Sequence, residues 1–315
     1  VSRRTDIPAF YSEWFFNRMN AGEALIRNPF NRNQISRVIL NKNSVDCFVF
    51  WTKNPQPMLD QLHLLASYQY YFQFTLNSYG ADVETKVGKK KDIIETFKIL
   101  SKRIGKEKII WRYDPILINQ VYTKEYHYKW FEILAQQLCG YTDKCVISFV
   151  DDYKESKKNA ATLALEVITE DDMLEMGARL ATIAQQYHIV IESCAEKNDL
   201  SAVGIRKGQC IDPQLISRIT GKDFTNSKQA TIRNGCECIK SVDIGEYNSC
   251  LHYCTYCYAN YNSSAIEKNN SNHNTNLPLL VGNLVGHEKI TDHYLCKNQT
   301  VDSGTLKLLD LFSGN

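Results

Sequence analysis

At 315 residues the chain is too long for a minimal domain and suits one large α/β domain or two smaller ones. Apolar side chains make up 43% of it and charged ones 23%, which excludes a disordered or fibrous chain. A formal net charge of +2 makes no case for nucleic acid or an acidic membrane surface, and no window approaches the ~18 apolar residues of a bilayer span.

The chain opens on Val1 rather than Met, which leaves room for a short missing N-terminal piece, and no signal-peptide pattern is visible. "VSRRTDIPAFY" reads as the loop after a strand whose body lies upstream of Val1. Six short apolar runs then recur: "VDCFVFW" (45–51), "YYFQFTL" (70–76), "KIIWRYD" (108–114), "CVISFV" (145–150), "HIVIES" (188–193) and "SVDIG" (241–245). Most are too continuously apolar to be half-exposed antiparallel strands, so they read as parallel strands covered on both faces.

Helical signals fill the gaps. Asn54 and Pro55 open a segment carrying Met58, Leu59, Leu62 and Leu65, and the basic run "KVGKKK" (86–91) reads as the solvated start of a helix whose apolar face is Ile93, Ile94, Phe97, Leu100 and Ile104. Thr169 with Asp172 forms a capping box before Met173, and Asp212, Pro213 and Gly221 bound a shorter helix. Polar residues gather just past the strand ends: Arg3, Arg4 and Asp6; Thr52, Lys53 and Asn54; Arg112 and Asp114; Asp151 and Asp152; Glu192 and Cys194. In a (β/α) barrel, partial or full TIM-type, these rise from the C-terminal rim where active sites form. A single barrel over residues 1–260 is the expected architecture, with a cysteine loop at 246–260. Residues 261–276, rich in asparagine and serine, read as a flexible linker. Residues 277–315 form a tail, in which "LPLLVGNLVG" is a strand or docking segment and "TLKLLDLF" a short helix.

Eleven cysteines, an odd number with no secretory signal, argue against a disulfide framework and for thiols kept reduced in the cytoplasm, where clustered cysteines point to metal. Cys250, Cys254 and Cys257 follow the spacing Cys-x3-Cys-x2-Cys in "YNSCLHYCTYCYAN". Three thiolates on one tight loop suit three irons of a 4Fe–4S cluster and leave the fourth iron open, so the missing ligand is expected to be a cofactor. The competing reading is a zinc site completed by a residue such as His252. His252 is two residues from both Cys250 and Cys254, which makes joint chelation awkward.

Cys-x3-Cys-x-Tyr-Cys, with Tyr256 as the aromatic, resembles the signature of the radical S-adenosylmethionine (SAM) superfamily. The longer string "NSCLHYCTYCYAN" is most similar to its spore photoproduct lyase branch. The resemblance implies that SAM chelates the open iron and that its reductive cleavage gives methionine and a 5′-deoxyadenosyl radical. It also implies Tyr256 beside the adenine, and a reductant such as flavodoxin or ferredoxin. Those relatives carry the cluster loop after the first barrel strand, whereas here it follows "SVDIG". That order, with "SRRTDIPAFY", "FWTKNP" and "WRYDP", resembles a bacterial family known as domain of unknown function eighteen forty-eight, over Ser2 to Asn260. This implies a barrel circularly permuted relative to radical SAM enzymes. No Gly-Gly-Glu segment follows any strand, so the contact to the SAM amino group falls to Arg3, Thr5 or Asp6, or to Thr52 and Asn54.

Cys194, Cys210, Cys236 and Cys238 form a second candidate set. Four thiolates would fully ligate an auxiliary iron–sulfur cluster or a zinc ion, while Cys194 and Cys210 also read as packing residues. Cys47, Cys139 and Cys145 read as core, and Cys296 has no evident partner. Arg112 and Asp114 suit a grip on a carboxylate or ribose hydroxyl, or a rim ion pair. Lys53 is a further candidate, and Asn54 reads equally as a helix cap. Trp51 and Trp111 read as packing between sheet and helices or as flanks for an adenine, and Tyr258 as a shield for the cluster. No glycine-rich phosphate loop or nucleophile triad is present. Two functions stand: a radical SAM enzyme of unidentified substrate, or a zinc or iron–sulfur binding protein without radical chemistry. The resemblance to the spore photoproduct lyase branch implies nucleic acid as a candidate partner under both, an expectation to which the charge of +2 adds nothing.

Overall fold

Two sheets organise the computed structural model, which describes residues 1–150, 161–196, 198–230 and 235–293. The smaller contains β1 (Glu23–Arg27), β2 (Gln34–Ile39) and β9 (Lys289–Asp292), with β1 antiparallel and β9 parallel to β2. The larger holds six parallel strands in chain order: β3 (Phe48–Thr52), β4 (Tyr70–Thr75), β5 (Ile109–Ile116), β6 (Lys144–Phe149), β7 (Val190–Cys194) and β8 (Arg206–Gly208).

Side chains alternate across this sheet with the strand period of two. Phe50, Phe72, Phe74, Trp111, Ile147 and Ile191 enter the main core. Over that face pack α3 (Lys90–Ile104), α4 (Lys124–Leu138) and α5 (Glu170–Gln186), through Phe97, Phe131 and Met176 among others. Val49, Tyr71, Ile110 and Val146 point the other way, into a second cluster with Cys194, Cys210, Cys238 and the buried side of α6 (Pro213–Thr220). Burial on both faces explains why these strands read as continuous apolar runs.

The expected barrel does not form. The six strands make an open sheet in which β3 and β8 each have one strand neighbour. "SVDIG", read as a strand, makes none: Val242 O and Ile244 N instead bond the backbone of Val1, at 2.7 and 2.9 Å, and Arg3 N donates to Asp243 at 3.1 Å. β8 is three residues long and largely exposed, too short to continue the sheet around. With no closed ring, the circular permutation has no structural basis either. The architecture is α/β, with an all-parallel sheet and a mixed one.

Local signals hold better. Asp212 caps α6, accepting from Gln214 N and Leu215 N, and Gly221 ends it in the left-handed region (φ 71°), where a glycine carries no Cβ penalty. The segment opened by Asn54 and Pro55 becomes a 3-10 helix, Gln56–Leu65, that buries Met58, Leu59, Leu62 and Leu65. Residues 261–276 contain a helix, α7 (Ser263–Ser271), capped by Asn262 and anchored through Ile266. Leu279 and Leu280 are buried beyond it. Asp151, Asp152, Cys296 and the "TLKLLDLF" segment lie outside the described residues. Among those described, no helix is long and apolar enough to cross a membrane.

The capping box at Thr169 forms as expected, its Oγ1 accepting from Asp172 N at 3.2 Å and Asp172 Oδ2 accepting from Thr169 N at 2.9 Å. Thr169→Ala is expected to lower stability by about 1 kcal/mol in urea denaturation. A loss below ~0.3 kcal/mol would mean that packing of Met176 and Leu180, not the cap, holds α5 in place.

Candidate functional site

A cavity of about 940 Å³ opens at the carboxyl ends of the parallel strands, the usual site of ligands in such sheets. Thr52, Thr75, Asp114, Phe149 and Cys194 bring β3 to β7 to its wall, and residues 2–6 and the loop around Cys250 complete it.

The cysteine loop is held at both ends. Asn260 Oδ1 accepts from Ser249 N and Cys250 N, each at 2.8 Å, while its Nδ2 donates to Arg4 O at 3.1 Å. Asn248 and Tyr253 adopt left-handed backbone (φ 52° and 53°), which tightens the turn that gathers the thiols. Residues 83–86 lie alongside: Thr255 N donates to Val83 O at 3.0 Å and Lys86 N to His252 O at 2.9 Å. Cys250, Cys254 and Cys257 all line the cavity. Burial pushes the Cys250 thiol up, helped by Asp6 and the two neighbouring thiols, and pushes Cys254 up to about 12. Ligation of metal here must therefore release protons.

Asp6 links the N-terminal loop to the site. Its Oδ1 caps α1 (Ile7–Phe10) by accepting from Ala9 N at 3.0 Å. Its Oδ2 accepts from Lys53 N at 2.7 Å and lies 2.8 Å from His252 Nε2. The other ring nitrogen, His252 Nδ1, is buried without a partner, as are Ser2 Oγ and Thr5 Oγ1, and all three residues line the cavity. Unpaired buried polar atoms are costly, so three around one cavity mark a place where a polar ligand fits.

A charged knot sits behind the loop. Glu84 Oε1 accepts from Lys53 Nζ at 2.6 Å and from Tyr256 Oη at 2.7 Å, and its Oε2 pairs with Lys90. Burial opposes ionisation of Glu84, but the two ammonium groups outweigh it and hold the carboxyl well below its usual range. Burial likewise opposes the Lys53 charge, and Glu84 more than offsets it, so that ammonium stays above its usual range. The Tyr256 hydroxyl is committed to this knot through Lys53, Glu84 and Asn77, and its ring remains on the cavity wall.

Arg112 and Asp114 are paired, Nε to Oδ2 at 2.9 Å, and Asp114 also accepts from Ser148. The free arm of Arg112 donates to Gln73 Oε1 at 3.2 Å and to Cys210 Sγ at 2.9 Å. Cys210 Sγ is 3.1 Å from Cys194 Sγ. This second thiol set lines the same cavity. Among the described residues, no three His, Cys, Asp or Glu side chains are drawn together as an ion-holding group.

Arg3, Asp6, Thr52, Lys53, Arg112, Asp114, Tyr256, Tyr258 and all seven cysteines of the two sets thus meet at one cavity. Asn54 does not: its Oδ1 accepts from Gln56 N at 3.3 Å, at the start of the 3-10 helix. Tyr258 is exposed at the rim rather than covering the loop. Trp51 is on the wall, with the Arg3 guanidinium 5.2 Å from its ring, whereas Trp111 is fully buried and stacked on Phe131. Glu84, Asn77 and Asn260 were not singled out from sequence. Only the placement of Glu84 just ahead of "KVGKKK" hints at an ion pair, since Lys90 of that run turns inward to meet it.

No curated protein and no solved structure matches the chain. A family model described as "Domain of unknown function (DUF1848)" matches residues 1–259, a span that includes the whole six-stranded sheet and the cysteine loop. The chain therefore belongs to the DUF1848 family.

Proposed function

We propose that Cys250, Cys254 and Cys257 hold a site-differentiated 4Fe–4S cluster, that SAM docks at its open iron, and that the protein is a radical enzyme whose substrate enters through the cavity mouth. One observation carries the reading: the three thiols, at Cys-x3-Cys-x2-Cys spacing, line a single large cavity. When bound, the cluster and SAM supply one-electron cleavage of a sulfonium and hence a hydrogen-abstracting radical.

The chain's own residues do the rest. Asn260 fixes the loop through two backbone N–H groups, so the thiols are presented rather than searching. Arg3, Arg4, Arg32, Lys53 and Arg112 outnumber Asp6, Asp114 and Glu246 on the wall, a balance suited to a carboxylate-bearing ligand and to anionic thiolates. The unpaired Ser2 Oγ, Thr5 Oγ1 and His252 Nδ1 supply polar contacts where the expected Gly-Gly-Glu segment is missing. Electrons would come from a low-potential donor such as flavodoxin or ferredoxin.

Anaerobically reconstituted, dithionite-reduced protein incubated with SAM is expected to release 5′-deoxyadenosine and methionine in equal amounts, slowly and without added substrate. Iron-loaded protein that leaves SAM intact would overturn the proposal.

A further inference from the structure

The second cysteine set has a geometry of its own. Cys194 is the last residue of β7, Cys210 lies two residues beyond β8, and Cys236 and Cys238 come from the segment beyond α6. Cys194 Sγ and Cys210 Sγ are 3.1 Å apart, and Cys236 and Cys238 line the same cavity. Cys194, Cys210 and Cys238 are buried. Cysteine used only for packing meets hydrocarbon, as fully buried Cys145 does in the main core. Four cysteines brought to one cavity wall, two of them in sulfur–sulfur contact, are a different arrangement.

Two further contacts would steady a metal-bound thiolate. Arg112, itself 4% exposed and paired with Asp114, also aims Nη1 at Cys210 Sγ from 2.9 Å. Ile211 N–H is directed at Cys238 Sγ, 3.4 Å away, the outer-sphere support that metal thiolates commonly receive. The Cys210 backbone is fixed as well, its carbonyl accepting from Tyr71 Oη at 2.6 Å and Gln73 Nε2 at 2.9 Å.

We propose that Cys194, Cys210, Cys236 and Cys238 bind one tetrahedral zinc ion. A Zn–S bond of about 2.3 Å puts the sulfurs roughly 3.8 Å apart, close to the spacing of touching thiols, whereas a four-iron cube spreads its ligands farther. An all-thiolate donor set selects a soft ion such as zinc over oxygen-seeking cations. The four side chains are not gathered as a closed tetrahedron, so binding turns Cys236 and Cys238 toward the Cys194–Cys210 pair. The ion then ties the β7 and β8 ends to residues 236–238 and places a net negative centre beside Arg112. This site does not depend on the radical reading.

The test is metal analysis of the full-length Cys250→Ser/Cys254→Ser/Cys257→Ser protein, purified without added metal. About one zinc per chain is expected, surviving a brief EDTA wash, and cobalt substitution should give the intense visible bands of a tetrahedral thiolate site. Cys236→Ser/Cys238→Ser in the same background should lower zinc at least ~10-fold, with unchanged far-ultraviolet circular dichroism showing that the fold persists. Iron with acid-labile sulfide in the triple variant, a Cys194–Cys210 disulfide, or four freely titrating thiols without metal would each overturn the proposal. If the triple variant loses iron and keeps zinc, the two sites are separate, whatever becomes of SAM cleavage.

Discussion

Replacing Cys250, Cys254 or Cys257 singly by alanine is expected to lower iron from about four atoms per chain to below about one and to abolish cluster-dependent SAM cleavage, a fall of at least ~100-fold. The three act together because one turn, clamped by Asn260, presents all of their thiols. With one thiolate gone, two ligands remain, too few to retain a cube against exchange with solvent. His252→Ala is the discriminating companion. The proposed cluster takes its protein ligands from the three cysteines alone, so removal of His252 is expected to keep iron at about three or more atoms per chain. Were His252 a zinc ligand, that variant would lose its metal as fully as the cysteine variants. Iron and zinc determinations on the four proteins, prepared anaerobically side by side, decide between these outcomes.

The largest effect on stability is expected at Glu84. Its side chain is 1% exposed and neutralises both Lys53 and Lys90, so Glu84→Ala leaves two ammonium groups facing each other behind the cysteine loop. Removing one partner of a buried ion pair costs about 3–5 kcal/mol, mainly through the uncompensated charge left behind. The pH dependence follows from the two shifts. The depressed Glu84 carboxyl contributes stability that is present above the unfolded value of about 4.3 and is lost as pH falls through the lower folded value. The raised Lys53 ammonium contributes stability that is present below the unfolded value of about 10.4 and is lost as pH rises through the higher folded value. Wild type is therefore expected to gain from this knot across the range between, and the variant to lose that increment throughout it. Urea denaturation at pH 5, 7 and 9 checks this (approximate settings chosen inside that window). A difference below ~1 kcal/mol at all three would show that the loop does not rely on the knot.

Much of the site could be read from spacing, because the chemistry lies in the chain itself. Cys-x3-Cys-x2-Cys marks the loop wherever the fold carries it, and residues after apolar runs are bound to gather where parallel strands end. The five longer strands were legible for a related reason, since burial on both faces leaves few polar residues within them. The missed strands lack that mark. β1 and β2 interrupt their apolar residues with Glu23, Arg27, Ser36 and Arg37, every residue of β9 is exposed, and β8 is Arg206, Lys207 and Gly208, without an apolar side chain. α7 looked like linker because Ile266 is its one buried residue among serine and asparagine. The barrel failed at a point no periodicity addresses. Whether "SVDIG" joins the sheet depends on which backbone it meets, and it meets Val1. Glu84 was invisible for the same kind of reason, its partners being 31 residues back and 6 ahead.

The central claim concerns one iron left without a protein ligand, and electron paramagnetic resonance of the reduced protein tests it most directly. Addition of one equivalent of SAM is expected to change the cluster signal, because the sulfonium compound enters the coordination sphere of that iron. A signal of a four-iron cluster that is identical with and without SAM would mean that every iron is already capped by the protein, and the account would be wrong.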